Sequence, residues 1–192
     1  MRKQVSFDSS VFEKWSKALP LIDPTNHYIR SYPELIDASK CLVEEFGERA
    51  IPMVAYLVYG WMPKILSYSR DTYQDDRIYR GVFAKTEEDA LQVLDSIEYP
   101  PTNNAWVGMS KTLHFLNPEI FPIWDSKVAK VFGIPTTQMG KKEVYKNYLS
   151  FVSQNVNSSF VDPVRTEFKN VTGYHITKVR AVEFVLFVMG EH

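Results

Sequence analysis

A chain of 192 residues can bury roughly 70% of the surface it would expose when unfolded, so a single domain with its own core is expected over residues 1–192. Hydrophobic residues at 45% and aromatics at 14% exclude a disordered chain, and a formal charge of −1 excludes a global attraction to nucleic acid or anionic lipid. The single cysteine, Cys41, excludes an internal disulfide and a cysteine-rich metal site, which fits a reducing compartment.

The opening "MRKQVSFDSS" carries charge but no apolar h-region, and the longest apolar stretch, "IPMVAYLVYGWM", falls short of the roughly 20 residues that span a bilayer. A soluble, cytoplasmic protein without membrane contact is expected. "SSVFEKWSKAL" reads as a helix capped by Asp8, with Val11, Trp15 and Ala18 on one face. "PELIDASKCLVEEFGE" places proline in a first turn, spaces Leu35, Leu42 and Phe46 helically and stops at Gly47. "AIPMVAYLVYGWMPKIL" is apolar on nearly every side, as a core helix would be; its β-branched content leaves a strand reading open, and Gly60 and Pro63 bend or break it. "SYSRDTYQDDRIYRG" is the most polar stretch and reads as a loop, with Asp71, Asp75 and Asp76 solvated.

"KTEEDALQVLDSIEY" predicts a helix capped by Thr86, with Glu87, Glu88 and Asp89 in its first turn and Ala90, Leu91, Leu94 and Ile97 turned inward. "PPTNNAW" ends it. "GKKEVYKNYLSFVSQNV" spaces Val144, Tyr148, Phe151 and Val152 helically, and "TKVRAVEFVLFVMGEH" closes the chain as an apolar helix capped by Thr177. With proline-rich turns and no period-two run, the pattern predicts an all-α, multi-helix bundle.

The stretch between residues 106 and 133, "WVGMSKTLHFLNPEIFPIWDSKVAKVFG", carries the chemistry worth weighing. "SKTLHFL" reads as a helix beginning near Ser110, which puts Lys111 in a first turn where the helix dipole disfavours a cation. A lysine neutralised in that way is a better nucleophile, although first-turn lysines are commonly solvated surface charges. Asp125 stands immediately before a second helix, and an N-cap role accounts for it fully. Trp106, Phe121 and Trp124 are core residues or a stacking pocket. His114 has no partner at ligand spacing and the other histidines are scattered, so no metal site is expected. A Gly-rich phosphate loop, a Gly-x-Ser-x-Gly elbow and a Cys–His pair are all absent from the sequence.

That stretch resembles the helix-hairpin-helix DNA glycosylase superfamily, where a glycine-containing hairpin leads to a lysine and a later segment supplies an aspartate before another helix. More narrowly it is similar to the 8-oxoguanine glycosylase-fold proteins, with "YGWMPKIL" and "KVRAVEFVLF" as weaker matching parts. The resemblance implies that the bundle adopts the helix-hairpin-helix glycosylase fold and that the protein is a DNA glycosylase and lyase. Lys111 would attack C1′ of a damaged nucleoside to form a Schiff base, and Asp125 would stabilise the charge developing on the sugar. It further implies a flipped base in a pocket to which Trp106, Phe121 and Trp124 contribute, phosphates held at Gly108, Ser110 and Lys127, and no metal or cofactor. Two departures stand out: "NAWVGMSK" keeps only one of the two hairpin glycines, and the interval from Lys111 to Asp125 is shorter by about one helical turn. A non-catalytic helical scaffold that binds nucleic acid or a protein partner is therefore the alternative.

Overall fold

Side-chain caps at Asn26, Asp71, Thr86, Asp125 and Thr177 set five of the α-helix starts. The computed structural model describes residues 6–62, 64–103 and 105–191, and every regular element among them is helical. In chain order the α-helices are α1 (His27–Arg30), α2 (Tyr32–Phe46), α3 (Ala50–Trp61), α4 (Thr72–Tyr79), α5 (Glu87–Ser96), α6 (Ala105–Leu116), α7 (Ser126–Val131), α8 (Thr136–Met139), α9 (Lys142–Asn155), α10 (Val161–Thr172) and α11 (Lys178–Glu191). Among the described residues the β structure amounts to one isolated antiparallel bridge, Tyr68 with Thr102, which ties the loop after α3 to the segment before α6. No helix among them is long and apolar enough to cross a membrane.

The predicted helices that form do so for the predicted reasons. Thr86 Oγ1 accepts from Asp89 N while the Asp89 carboxylate accepts from Thr86 N, a reciprocal capping box at the start of α5. Pro33 sits in the first turn of α2, which stops at Gly47. Thr177 Oγ1 accepts from Arg180 N at 3.0 Å and opens α11. Val144, Tyr148, Phe151 and Val152 all face the core from α9.

Three expectations are corrected. The polar stretch read as a loop contains α4, capped by Asp71 through Tyr73 N at 3.0 Å. Its inward residues are Gln74, Asp75 and Ile78, so a mostly polar buried face leaves no hydrophobic period to detect. The first predicted helix is instead a 3-10 segment, Ser9–Leu21, interrupted by non-helical backbone at Lys14 and containing Pro20. Asp8 does cap it, through Ser10 N at 3.0 Å. Finally, α6 begins at Ala105, not near Ser110. Pro63, expected to break α3, lies outside the described residues; Gly60 is inside that helix.

α6 and α11 form the centre of the bundle. α6 packs on α3 and α2, and α11 packs most extensively on α7, with α10 and α9 behind it. Two glycines permit these approaches. A Cβ on Gly108 would lie 2.1 Å from Tyr59 Oη of α3, and one on Gly190 would lie 2.0 Å from the Lys127 carbonyl oxygen of α7. Gly190→Ala must therefore push α11 off α7 backbone, and we expect it to cost about 1–3 kcal/mol in urea unfolding. An unchanged urea midpoint would show that the end of α11 does not need this contact.

Candidate functional site

The segment between α6 and α7 folds back so that Trp124 lies against the middle of α6. Ser110 Oγ accepts from Trp124 N at 3.0 Å and donates to the Val107 carbonyl, also at 3.0 Å. Lys111 Nζ donates to the Trp124 carbonyl at 3.3 Å. One residue later the chain turns into α7, where Asp125 Oδ1 accepts from Lys127 N at 2.9 Å and Val128 N at 3.0 Å. Asp125 is thus the N-cap of α7, and the same turn leaves it on the wall of a cavity of about 580 Å³. That volume lies within the range of small-molecule sites.

Lys111 lines that cavity too. The shortened interval between Lys111 and Asp125 does not separate them, because the intervening chain doubles back instead of continuing along one axis. Lys111 is 7% exposed and lies in the second turn of α6, so the dipole argument for a first-turn lysine does not apply. Burial does the work instead. Desolvation drives its pKa below 10.5, while the Asp125 and Glu183 carboxylates pull the other way.

The opposite wall is one face of α11. Arg180, Glu183, Phe184, Phe187 and Glu191 follow helical spacing and all line the cavity. Arg180 and Glu183 form a buried ion pair through Arg180 Nη1, and Glu183 Oε2 also accepts from Ile123 N at 3.3 Å. Burial pushes the Glu183 carboxyl up to about 7, with Arg180 opposing the rise. Burial also works against the Arg180 charge, yet Glu183 and Tyr32 outweigh it and hold the guanidinium pKa above its ordinary value.

Behind Arg180 stands a fixed aromatic. Its guanidinium carbon sits 5.0 Å from the centroid of the Tyr32 ring. Tyr32 Oη is 2.7 Å from His114 Nε2, and His114 Nδ1 is 2.7 Å from the Phe121 carbonyl oxygen. Burial lowers the His114 pKa to about 3, aided by Arg180, so the ring is neutral. Its Nδ1–H must donate to the carbonyl, which leaves Nε2 to accept from the tyrosine. His114 is therefore a positioning element and not a cation.

The remaining sequence candidates lie elsewhere than the family resemblance implies, and the three aromatics take the core alternative. Trp106 is 3% exposed and stacks on Tyr145, whereas Phe121 and Trp124 are completely buried. None of the three lines the cavity; Trp124 contributes its carbonyl and sends its indole N–H to the Met139 carbonyl. The aromatic walls are Tyr28, Trp61, Phe184 and Phe187. Gly108 and Ser110 are buried inside α6, closed to a phosphate. Lys127 reaches the rim but is ion-paired with Glu191 and lies 4.2 Å from the Phe187 ring centroid. Among the described residues no cluster of His, Cys, Asp or Glu is suited to a metal ion.

Arg180 and Glu183 were the residues missed by sequence reasoning. Their signal was two charges three apart, each flanked by apolar residues within a mostly apolar helix, a pattern that calls for a buried partner or a cavity. Asp125→Asn should keep the cap, since asparagine serves nearly as well there, and change stability by less than about 1 kcal/mol in urea unfolding. A larger loss would mean that the negative charge itself is structural. Comparison with family models, with curated proteins and with solved structures finds no match for this chain.

Proposed function

We propose that this protein is a base-excising glycosylase and lyase of the helix-hairpin-helix kind, with the cavity between α6, α7 and α11 as its active site. The observation that carries the reading is the arrival of a buried lysine and a capping aspartate on one aromatic-walled cavity, fourteen positions apart in sequence. In this reading a target nucleotide leaves the stack and its base enters between the aromatic walls. The neutral Lys111 amine attacks C1′, the bond from C1′ to the base nitrogen breaks, and its electron pair and a proton end on the base. Opening of the sugar then yields an imine. Asp125 stabilises the positive charge on the sugar while that exchange takes place.

The test is covalent trapping. Incubation with duplexes carrying an abasic site or an oxidised purine, followed by borohydride reduction, should yield a protein–DNA adduct. One observation favours a second reading, that of a non-catalytic binding scaffold: Gly108 and Ser110 are enclosed and Lys127 is paired, so the phosphate contacts implied by the family resemblance are missing. Absence of any adduct with several lesions, in single- or double-stranded DNA, would favour that scaffold.

A further inference from the structure

The guanidinium of Arg180 is buried at the cavity wall, only 7% exposed, yet most of its donors are uncommitted. Glu183 engages Nη1 alone, because its other oxygen is drawn off by Ile123 N–H. Nε is itself enclosed and has no hydrogen-bond partner. An arginine kept in the interior for stability would be expected to meet its carboxylate with both edges. Here the pairing is partial, and the plane of the group is held from below by Tyr32, itself clamped by the neutral His114. The result is a rigid, partly paired cation on the wall of the same cavity as Lys111, with Nη1 alone committed to Glu183 and near enough to Lys111 to act on its charge.

We propose that Arg180 is the leaving-group cation of this site, binding a carbonyl oxygen of the base and taking up the negative charge that the base acquires as its bond to C1′ breaks. The inference rests on the glycosylase reading and deepens it by assigning the residue that receives the leaving group. A guanidinium has donors only, so it favours base edges with an exocyclic carbonyl, such as oxopurines and pyrimidine diones, over the N1 and N7 edges of adenine, where each accepting nitrogen stands beside an amine donor. Bond changes balance without a further reagent: the carbon–nitrogen bond to the base breaks, the bond from Nζ to C1′ forms, and the amine proton neutralises the departing base. Arg180 donates hydrogen bonds throughout and keeps its own protons.

Arg180→Met alone would strand the Glu183 charge, so the informative protein is the double variant Arg180→Met/Glu183→Gln, in which both charges are removed together. Two quantities are measured: release of base from duplexes carrying 8-oxoguanine, hypoxanthine, uracil or a mispaired adenine, and borohydride trapping at a preformed abasic site, where no base departs. The parent should release carbonyl bases and leave adenine in place. In the double variant the ratio of base release to abasic trapping should fall by about 100-fold or more, the scale seen when one preorganised charge-stabilising donor is removed. A ratio within about threefold of the parent's would overturn the role of Arg180 while leaving the glycosylase reading intact. So would a parent that prefers adenine, or one that traps abasic DNA yet releases none of these carbonyl bases. Failure of the parent to trap abasic DNA would remove the glycosylase reading, and this inference with it.

Discussion

Lys111→Gln is expected to abolish borohydride trapping completely, because an amide cannot form an imine, while the fold survives. Glutamine is nearly as good a helix former as lysine, and it removes an ammonium that α6 must otherwise shield from water. In the proposed reaction the neutral amine is the attacking form, so the parent's trapping rate should rise with pH and reach half its maximum below 10.5, because desolvation depresses the lysine pKa. The same shift predicts a stability slope. Between the depressed folded pKa and 10.5 the unfolded chain binds more protons than the folded one, so the stability of the parent rises with pH across that interval. In Lys111→Gln this contribution vanishes. An adduct that persists in the variant would assign the chemistry to another amine, and a collapsed fold would show that the lysine is structural.

Arg180→Met is expected to be the most destabilising single change at this site, by about 3–5 kcal/mol near pH 8, because it leaves the Glu183 carboxylate buried without its partner. Most of the loss should return with Glu183→Gln on the same chain, which removes the stranded charge. The pH dependence has a definite sign. The folded pKa of Glu183 lies near 7 against an ordinary 4.5, so the folded state binds more protons in between and its stability rises as pH falls through that window. Without the opposing guanidinium the folded pKa climbs further, and the variant should recover more than the parent does on acidification from pH 8 to 5. Urea midpoints at the two pH values decide it: an Arg180→Met protein as stable as the parent at pH 8 would mean that the pair does not hold α11 in place.

Helices whose signals are local were legible in the sequence. The Thr86–Asp89 capping box, the Thr177 cap, proline in the first turn of α2 and the inward stripe of α9 each depend on residues within a few positions of one another, and the structure forms all four. The all-helical class followed from them. α4 escaped because its buried face is built from Gln74 and Asp75 as much as from Ile78, so the interior it meets is partly polar and no apolar period marks it. α6 starts five residues before the expected Ser110, with Gly108 inside it rather than in the hairpin that the family resemblance implies. The reason for a glycine there is Tyr59 on another helix, 49 positions earlier.

The site divides in the same way. That Asp125 caps a helix was readable from the residues beside it, and nothing distant was needed. Which side chains wall the cavity depended on packing between α6, α7 and α11, elements brought together only when their apolar faces are buried. Trp106, five positions before Lys111, and Trp124, next to Asp125, point into the core and away from the cavity. Arg180 and Phe184, some 70 residues beyond Lys111, face it instead. A helix presents one stripe to each neighbour, so closeness in sequence sets the spacing along that stripe, while the neighbour decides what the stripe encloses.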